Sequence, residues 1–154
     1  MLNLENNEKL QQLLYDNQKQ ISSINKRAFA LFIDELLLSI VLFIIISDSL
    51  FQANTPEEMI LFVNSFVFEF MILKIAYYTF FIHKYGYTIG KMIMKIEVVD
   101  VNSLAIPTFK QAFFRGITRI ISESAFYLGY LWGIFDPQRQ TWHDKIAKTI
   151  VIDR

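Results

Sequence analysis

Charged side chains inside apolar segments are the residues of this sequence best suited to chemistry. Arg27 and Asp34 open the first long apolar run, which continues from Leu36 to Ile46. On a helix, seven residues turn through about 700° and rise roughly 10 Å, so the two side chains share one face. A charge at mid-bilayer costs about 2.5–3.5 kcal/mol, so such residues normally find partners in protein or water. We therefore expect Arg27 and Asp34 to belong to a polar cluster.

A second pair, Glu69 and Lys74, lies inside the next apolar run. Their spacing separates them by about 140° on a straight helix, so they should not pair with each other. With Asp34 they form a candidate ion or proton relay, because intramembrane carboxylates often carry protons or cations. Asp34 is the expected ligand of any bound cation, since hard cations prefer oxygen ligands. The alternative is that Lys74 pairs with the first span or with another subunit, or extends towards the interface.

The sequence lacks the residue patterns that enzymes and cofactor-binding proteins usually contain. The chain has no Cys and only two His, so a thiolate or histidine metal site is not predicted, and the identity of any metal stays open. Gly86 and Gly90 are separated by three residues and Met92 follows Lys91, whereas a phosphate loop needs four residues and a Ser or Thr. Zero net charge also argues against nucleic-acid binding. We expect neither an enzyme nor a cofactor.

Two apolar segments of membrane-spanning length position these charges. Residues 28–51 and 59–82 each exceed the roughly 20 apolar residues that cross a bilayer. The link between them, residues 47–58, has no Lys or Arg, whereas basic residues flank the other ends. Residues 1–25 lack the apolar core of a signal peptide and favour an amphipathic helix, which lies on the membrane or packs against the chain. The positive-inside rule then predicts a cytoplasmic N-terminus.

The second half of the chain predicts a small sheet and a helical hairpin. Residues 95–101 and 150–152 read as partner strands, and residues 104–106 as a short return strand. Thr108 is a helix cap, and the apolar segment 125–135 is too short to span alone. Residues 109–135 therefore form a re-entrant or interfacial hairpin, which keeps the C-terminus cytoplasmic, or else a third span. On it, Arg115 and Arg119 could hold lipid head groups, or simply extend to the interface.

Four segments in order resemble the RDD family of membrane proteins. They are the Arg27–Asp34 entry, the Gly86–Lys91 loop with the following strand, Phe113-Phe114-Arg115, and the Trp142–Val151 terminus. The chain departs from the family at Ile89, where Pro is common, and at Lys148, where Gly is common. The family name refers to an Arg and two Asp, which correspond here to Arg27, Asp34 and Asp144. This resemblance covers about residues 27–152.

The resemblance implies a multi-pass protein of the bacterial inner membrane. Its domains would be a cytoplasmic segment, residues 1–25, and an RDD-like membrane domain, residues 26–154. It implies transport of a cation or small solute, of the sodium–proton exchange type. Because two spans alone enclose no pathway, we expect any transporting form to be an oligomer or to need a membrane partner protein. The alternative is a non-enzymatic membrane assembly, lipid-binding or partner-recruiting protein. Arg27, Asp34, Arg115 and Asp144 would form one intramembrane polar cluster, either ion-binding or purely structural.

Overall fold

The computed structural model describes residues 2–52, 55–125 and 127–154. The helices are α1 Leu2–Asp16, α2 Ile24–Gln52, α3 Pro56–Ser65, α4 Val67–Tyr85, α5 Ile89–Ile93, α6 Phe109–Ser124, α7 Leu128–Phe135 and α8 Trp142–Ala147; the strands are β1 Ile96–Asp100 and β2 Thr149–Asp153. The protein is mainly helical with a small sheet, as predicted. Ala53 and Asn54 of the predicted link, and Phe126 of the predicted hairpin, lie outside the described residues.

α2 is the long apolar helix predicted as the first span. It is long and apolar enough to cross a membrane. Phe29, Phe32, Leu36, Ile40 and Ile44 are exposed along its length. Exposed apolar side chains in such number are costly in water but are favourable against lipid. This surface therefore fits the hydrocarbon core of a bilayer.

The second predicted span is broken. α3 and α4 together are long and apolar enough to cross a membrane, but they meet at an angle of 42°. Near the break, the Ser65 hydroxyl donates to the carbonyl of Phe62 at 2.6 Å, and the Phe66 N–H donates to Val63. Such side-chain and three-residue bonds replace regular helical ones and bend the axis. Residues 59–82, predicted as the second span, therefore belong to two helices with a bend between them, which together keep the length and apolar character of a span.

The sheet pairs the two segments that the sequence analysis predicts. β1 and β2 are antiparallel, with Val98 opposite Val151. The predicted return strand at residues 104–106 is absent, and Leu104 has a left-handed φ of 53°. The Asp100 carboxylate instead accepts the N–H groups of Asn102 and Ser103 at 2.9 and 3.0 Å. The Asx turn closes the loop tightly, and the return segment bonds to β1 through the Asp100 N–H and the Ala105 carbonyl at 2.9 Å without forming a strand.

α1 packs against the sheet rather than standing apart from the chain. Leu10 and Leu14 are buried in one core cluster with Val99, Ile150 and Ile152. The following segment adds an edge to the sheet, because Ser22 donates to Val151 and Asp153 donates to Gln20. Residues 20–22 and 151–153 therefore lie at the same end of the molecule, which we call the sheet end.

α6 and α7 are two separate helices. Thr108 caps α6 through a capping box with Gln111, as the sequence predicts. The two helices approach closely where Gly129 meets Ser122: a Cβ at position 129 would lie 2.0 Å from the Ser122 hydroxyl. α7 has eight residues, far fewer than a span requires.

Candidate functional site

A buried ion-pair cluster joins α2, α6 and α8 at the sheet end. Asp144, only 1% exposed, pairs with Arg115 through Oδ1 and with Arg27 through Oδ2, the latter at 3.5 Å. Its Oδ2 also accepts the N–H and hydroxyl of Thr141, at 3.0 and 2.7 Å, and so caps α8. We call Arg27, Arg115 and Asp144 the Asp144 cluster. These three residues meet as the sequence analysis predicts.

The Asp144 cluster also fastens the sheet to the first helix. Arg27 donates to the Val151 carbonyl at 2.9 Å and to the Ser22 hydroxyl at 2.8 Å, while Arg115 donates to Thr149 at 2.6 Å. Burial alone would raise the pKa of Asp144, but the neighbouring charges, Arg115 first, hold that pKa well below its usual range. The carboxylate therefore stays charged. The contacts of the cluster indicate a structural role, because they connect α2, α6 and α8 with β2.

Asp34 lies outside this cluster. The prediction that it joins Arg27, Arg115 and Asp144 in one group is therefore wrong. Its carboxylate is fully buried and accepts three hydrogen bonds: from Thr88 Oγ1 at 2.6 Å, Gly90 N at 2.8 Å and Tyr77 OH at 2.9 Å. The reason is that α5 brings its first turn to α2, and unpaired N–H groups at a helix start attract carboxylates. Oδ1 accepts two of these bonds and Oδ2 accepts one, so most of the acceptor capacity of the carboxylate is already used.

Two glycines make that contact possible. Gly86 ends α4 in the left-handed region, with φ of 81°, which glycine tolerates best. A Cβ on Gly90 would lie 2.1 Å from the Ala30 carbonyl oxygen and 2.9 Å from Asp34 Oδ1. The Gly86–Lys91 loop is therefore a turn only at Gly86. From Ile89 onward it is a short helix, which Thr88 caps.

A second network of four charged side chains lies farther along α2 and α6 than the Asp144 cluster. Lys74 bridges Glu35 at 2.8 Å and Glu123 at 2.5 Å, while Arg119 bridges the same two carboxylates at 3.2 and 2.9 Å. The ring links α2, α4 and α6 and carries no net charge. We call these four residues the Glu35 network. Its Lys74 pairs with the first span, one of the alternatives that the sequence leaves open.

Aromatic rings fix the arginine of this network. The Arg119 guanidinium stacks 3.4 Å from the centroid of the Tyr78 ring and donates to its hydroxyl at 2.5 Å. The same hydroxyl donates to Glu35 at 3.3 Å. A cation over a desolvated aromatic face gains about 2 kcal/mol. Arg119 is thus held rigidly, whereas Lys74 is a point charge on a flexible stem.

Glu69 does not join the predicted relay. It is exposed on α4, and its carboxylate makes no hydrogen bond or ion pair with the part of the chain that the structure describes. Lys74 and Asp34 also have different partners. Glu35 and Glu123 take the expected place of Glu69, and sequence reasoning missed both. The sequence signal that could have identified Glu123 is its position four residues after Arg119, which places both side chains on one face of a helix.

The arginines predicted at lipid head groups are buried. Arg115 is 6% exposed and Arg119 is 5% exposed, and each is paired with carboxylates inside the bundle. Head groups need an accessible cation, so this expectation is not supported. Both residues lie on the face of α6 that packs against other helices.

A cavity of about 370 Å³ adjoins the Glu35 network. Lys74 and Glu123 are the charged residues of its wall, and the remainder is apolar apart from Ser124. The other lining residues come from α2, α6 and the α3–α4 bend: Leu42, Val63, Phe66, Val67, Phe70, Met71 and Ile120. Within residues 2–52, 55–125 and 127–154, no three His, Asp or Glu side chains are grouped to hold a metal ion.

Comparison with known proteins identifies the family. The model of the RDD family matches residues 21–148. An uncharacterised protein of Rickettsia prowazekii (strain Madrid E) is 36% identical over 91 residues, which are 58% of this chain and 50% of that protein. The chain thus spans about half the length of the curated relative it matches, and no solved structure matches it. Because the family match covers most of the chain, including the Arg and both Asp of the signature, this membrane protein belongs to the RDD family.

Proposed function

We propose that this protein is a subunit of a membrane transporter for a cation or small solute, and that the Glu35 network handles the ion. One observation carries the proposal: Lys74 bridges Glu35 and Glu123 beside an apolar cavity of about 370 Å³. Ionisable side chains inside membrane helices are costly, and they commonly mark ion or proton pathways.

The contacts favour binding of a cation in place of the Lys74 ammonium. If Lys74 moves away, one oxygen of Glu35 and one of Glu123 lose their partner, while Arg119 continues to hold the other two. Carboxylate oxygens are suitable ligands for a hard cation. A monovalent cation entering there would replace the positive charge of the displaced ammonium. The ammonium thus acts as a tethered competitor for the cation.

Flux through reconstituted protein tests this proposal. Proteoliposomes with the wild-type protein should exchange sodium for protons, and Glu123→Gln should reduce that flux at least tenfold, because one ligand charge is lost. Glu69→Gln, a change of the same type at an exposed position of α4, should leave the flux unchanged. Wild-type flux equal to that of empty liposomes would contradict transport. The remaining candidate would then be an assembly, lipid-binding or partner-recruiting role. The Glu35 network also fits such a role, because its four charged side chains are all paired with one another.

Transport by this chain requires an oligomer or a membrane partner, because two spans enclose no pathway. We place both chain ends on the cytoplasmic side of a bacterial inner membrane. The bonds of residues 20–22 to residues 151–153 support a common side, and the positive-inside rule supports the cytoplasm. α6 and α7 then form a hairpin that returns to the side from which it enters.

Single-cysteine labelling checks this topology, since the native chain has no Cys. In intact cells, a membrane-impermeant maleimide should label Glu57→Cys but neither Asn17→Cys nor Arg154→Cys. After permeabilisation all three should react, because each site is exposed. Labelling of Arg154→Cys in intact cells would contradict the hairpin and favour a third span.

A further inference from the structure

A cleft of about 490 Å³ lies beside the sheet, separate from the two charge networks. Residues of α1, of the turn after β1, of the connection between α7 and α8, and of α8 itself line it, and no member of the Asp144 cluster or the Glu35 network does. Small-molecule sites have volumes of roughly 300–1,000 Å³, so the cleft can hold a whole small molecule. We call it the lysine cleft, after Lys9, Lys145 and Lys148 in its lining.

The lysine cleft has an excess of positive charge. Besides the three lysines, Asp136 is the charged residue of its lining. This carboxylate is already engaged, because Oδ1 pairs with Lys145 and Oδ2 accepts two backbone N–H groups of the following loop, at 3.0 and 3.2 Å. Lys9 and Lys148 are exposed and have no ion-pair partner among the described residues. Two ammonium groups therefore remain for a ligand that carries two negative charges.

Neutral polar groups of the same cleft are held in place by hydrogen bonds. Gln138 Nε2 donates to Asn7 Oδ1 at 2.6 Å and so joins α1 to the loop before α8, while Gln140 Nε2 donates to the Thr149 carbonyl at 2.9 Å. In the part of the chain that the structure describes, Oε1 of each glutamine and Nδ2 of Asn7 make no hydrogen bond. The cleft thus presents both acceptors and a donor to the polar part of a ligand.

The backbone fixes the point from which the Lys148 side chain extends. Lys148 ends α8 in the left-handed region, with φ of 52°, and its N–H donates to the carbonyls of Asp144 and Lys145. Its own carbonyl accepts the N–H of Val101 at 3.1 Å. Because both sides of the residue are bonded, its ammonium group extends from a fixed position beside the turn after β1.

We propose that the lysine cleft binds a phosphorylated small molecule, with its phosphate at Lys9 and Lys148 and its polar remainder at the amides of Asn7, Gln138 and Gln140. A phosphate monoester carries about −1.5 to −2 charges at pH 7 and offers three acceptor oxygens. Lysine binds phosphate as a compact charge with three donors, whereas the arginine fork, which matches a planar carboxylate, is absent from this lining. The inference does not depend on transport.

Isothermal titration calorimetry of the full chain in uncharged maltoside micelles tests the proposal with glucose 6-phosphate as the probe. We expect one binding site per chain, and we expect no binding of glucose, which lacks the phosphate. Succinate, a dicarboxylate, should bind at least tenfold more weakly at the same ionic strength. Succinate binding as tight as that of glucose 6-phosphate would overturn the assignment of a phosphate site.

Lysine variants locate the site. Lys148→Met and Lys9→Met should each weaken binding about tenfold or more, because each removes a charge-assisted hydrogen bond. The matched control is Lys95→Met. Lys95 is also exposed, also has a left-handed φ, of 55°, and also directly precedes a strand, but it does not line the cleft. Equal affinities of Lys148→Met and the wild type would overturn the proposal.

A lipid head group offers the same phosphate chemistry, so a second titration separates the two sources. Short-chain phosphatidic acid, which ends in a phosphate monoester, is added to the same micelles and compared with phosphatidylcholine of equal chain length. Binding of phosphatidic acid alone, lost in Lys148→Met but kept in Lys95→Met, would support the phosphate site and identify a lipid as the source. A wild-type protein that binds neither glucose 6-phosphate nor phosphatidic acid would refute the site.

Discussion

Replacing Asp144 with Asn should lower the free energy of unfolding by about 3–5 kcal/mol, because it leaves Arg27 and Arg115 buried without a counter-charge. Asn keeps a side-chain carbonyl that can still cap α8, so the loss reports mainly the missing charge. Chemical denaturation in detergent micelles measures the difference. Of all single charge removals in the described chain, this one should have the largest effect on stability.

The matched control is Glu97→Gln on β1. Glu97 pairs with Lys19 at 3.2 Å, and both side chains are partly exposed, at 23% and 34%. Exposed ion pairs contribute about 0–1 kcal/mol, so this variant should unfold close to the wild type. If Asp144→Asn unfolds at the same denaturant concentration as Glu97→Gln, the Asp144 cluster does not fasten the sheet to the helices.

Gly90→Ala should be the second severe change, although it adds a single methyl group. The new Cβ would lie 2.1 Å from the Ala30 carbonyl oxygen, which belongs to a helix backbone and cannot rotate away. Overpacking usually costs about 1–3 kcal/mol, and we expect a value at or above the upper end. The shift of α5 should also break the bond from Gly90 to Asp34, which is 2.8 Å long.

Gly116→Ala on α6 provides the comparison. Its nearest neighbour would be the Thr79 hydroxyl at 3.2 Å, a side-chain atom that can adjust. Alanine also gains about 1 kcal/mol of helix propensity over glycine, so the net change should stay within about 1 kcal/mol. Equal midpoints for the two variants, measured by thermal unfolding in the same micelles, would show that α5 does not need its close contact with α2.

The membrane character and the pairing of the sheet follow from the sequence. The apolar length of residues 28–51 predicts a span because a bilayer offers no hydrogen bonds and selects long apolar helices. β1 and β2 follow from their β-branched residues, which are enriched in strands. Thr108 marks the start of α6 because a hydroxyl satisfies a free N–H at that position.

Local sequence was less informative at the breaks and turns. The bend between α3 and α4 is accompanied by local bonds, from the Ser65 hydroxyl to Phe62 and from the Phe66 N–H to Val63, which the sequence does not announce. Lys148, at a position where the family commonly has Gly, has a left-handed φ of 52°. It ends α8 and leads directly into β2, so the strained conformation is imposed by the pairing on either side.

Most partners of the buried charges were decided by tertiary structure. Helical spacing shows that Arg27 and Asp34 share a face, yet Arg27 pairs with Asp144 and Asp34 binds the start of α5. Spacing correctly separates Glu69 from Lys74, but it cannot show that Lys74 meets Glu35 and Glu123. The period of a helix fixes directions around its own axis only. Which charges meet depends on the rotation and crossing of neighbouring helices, and packing of the whole chain sets those.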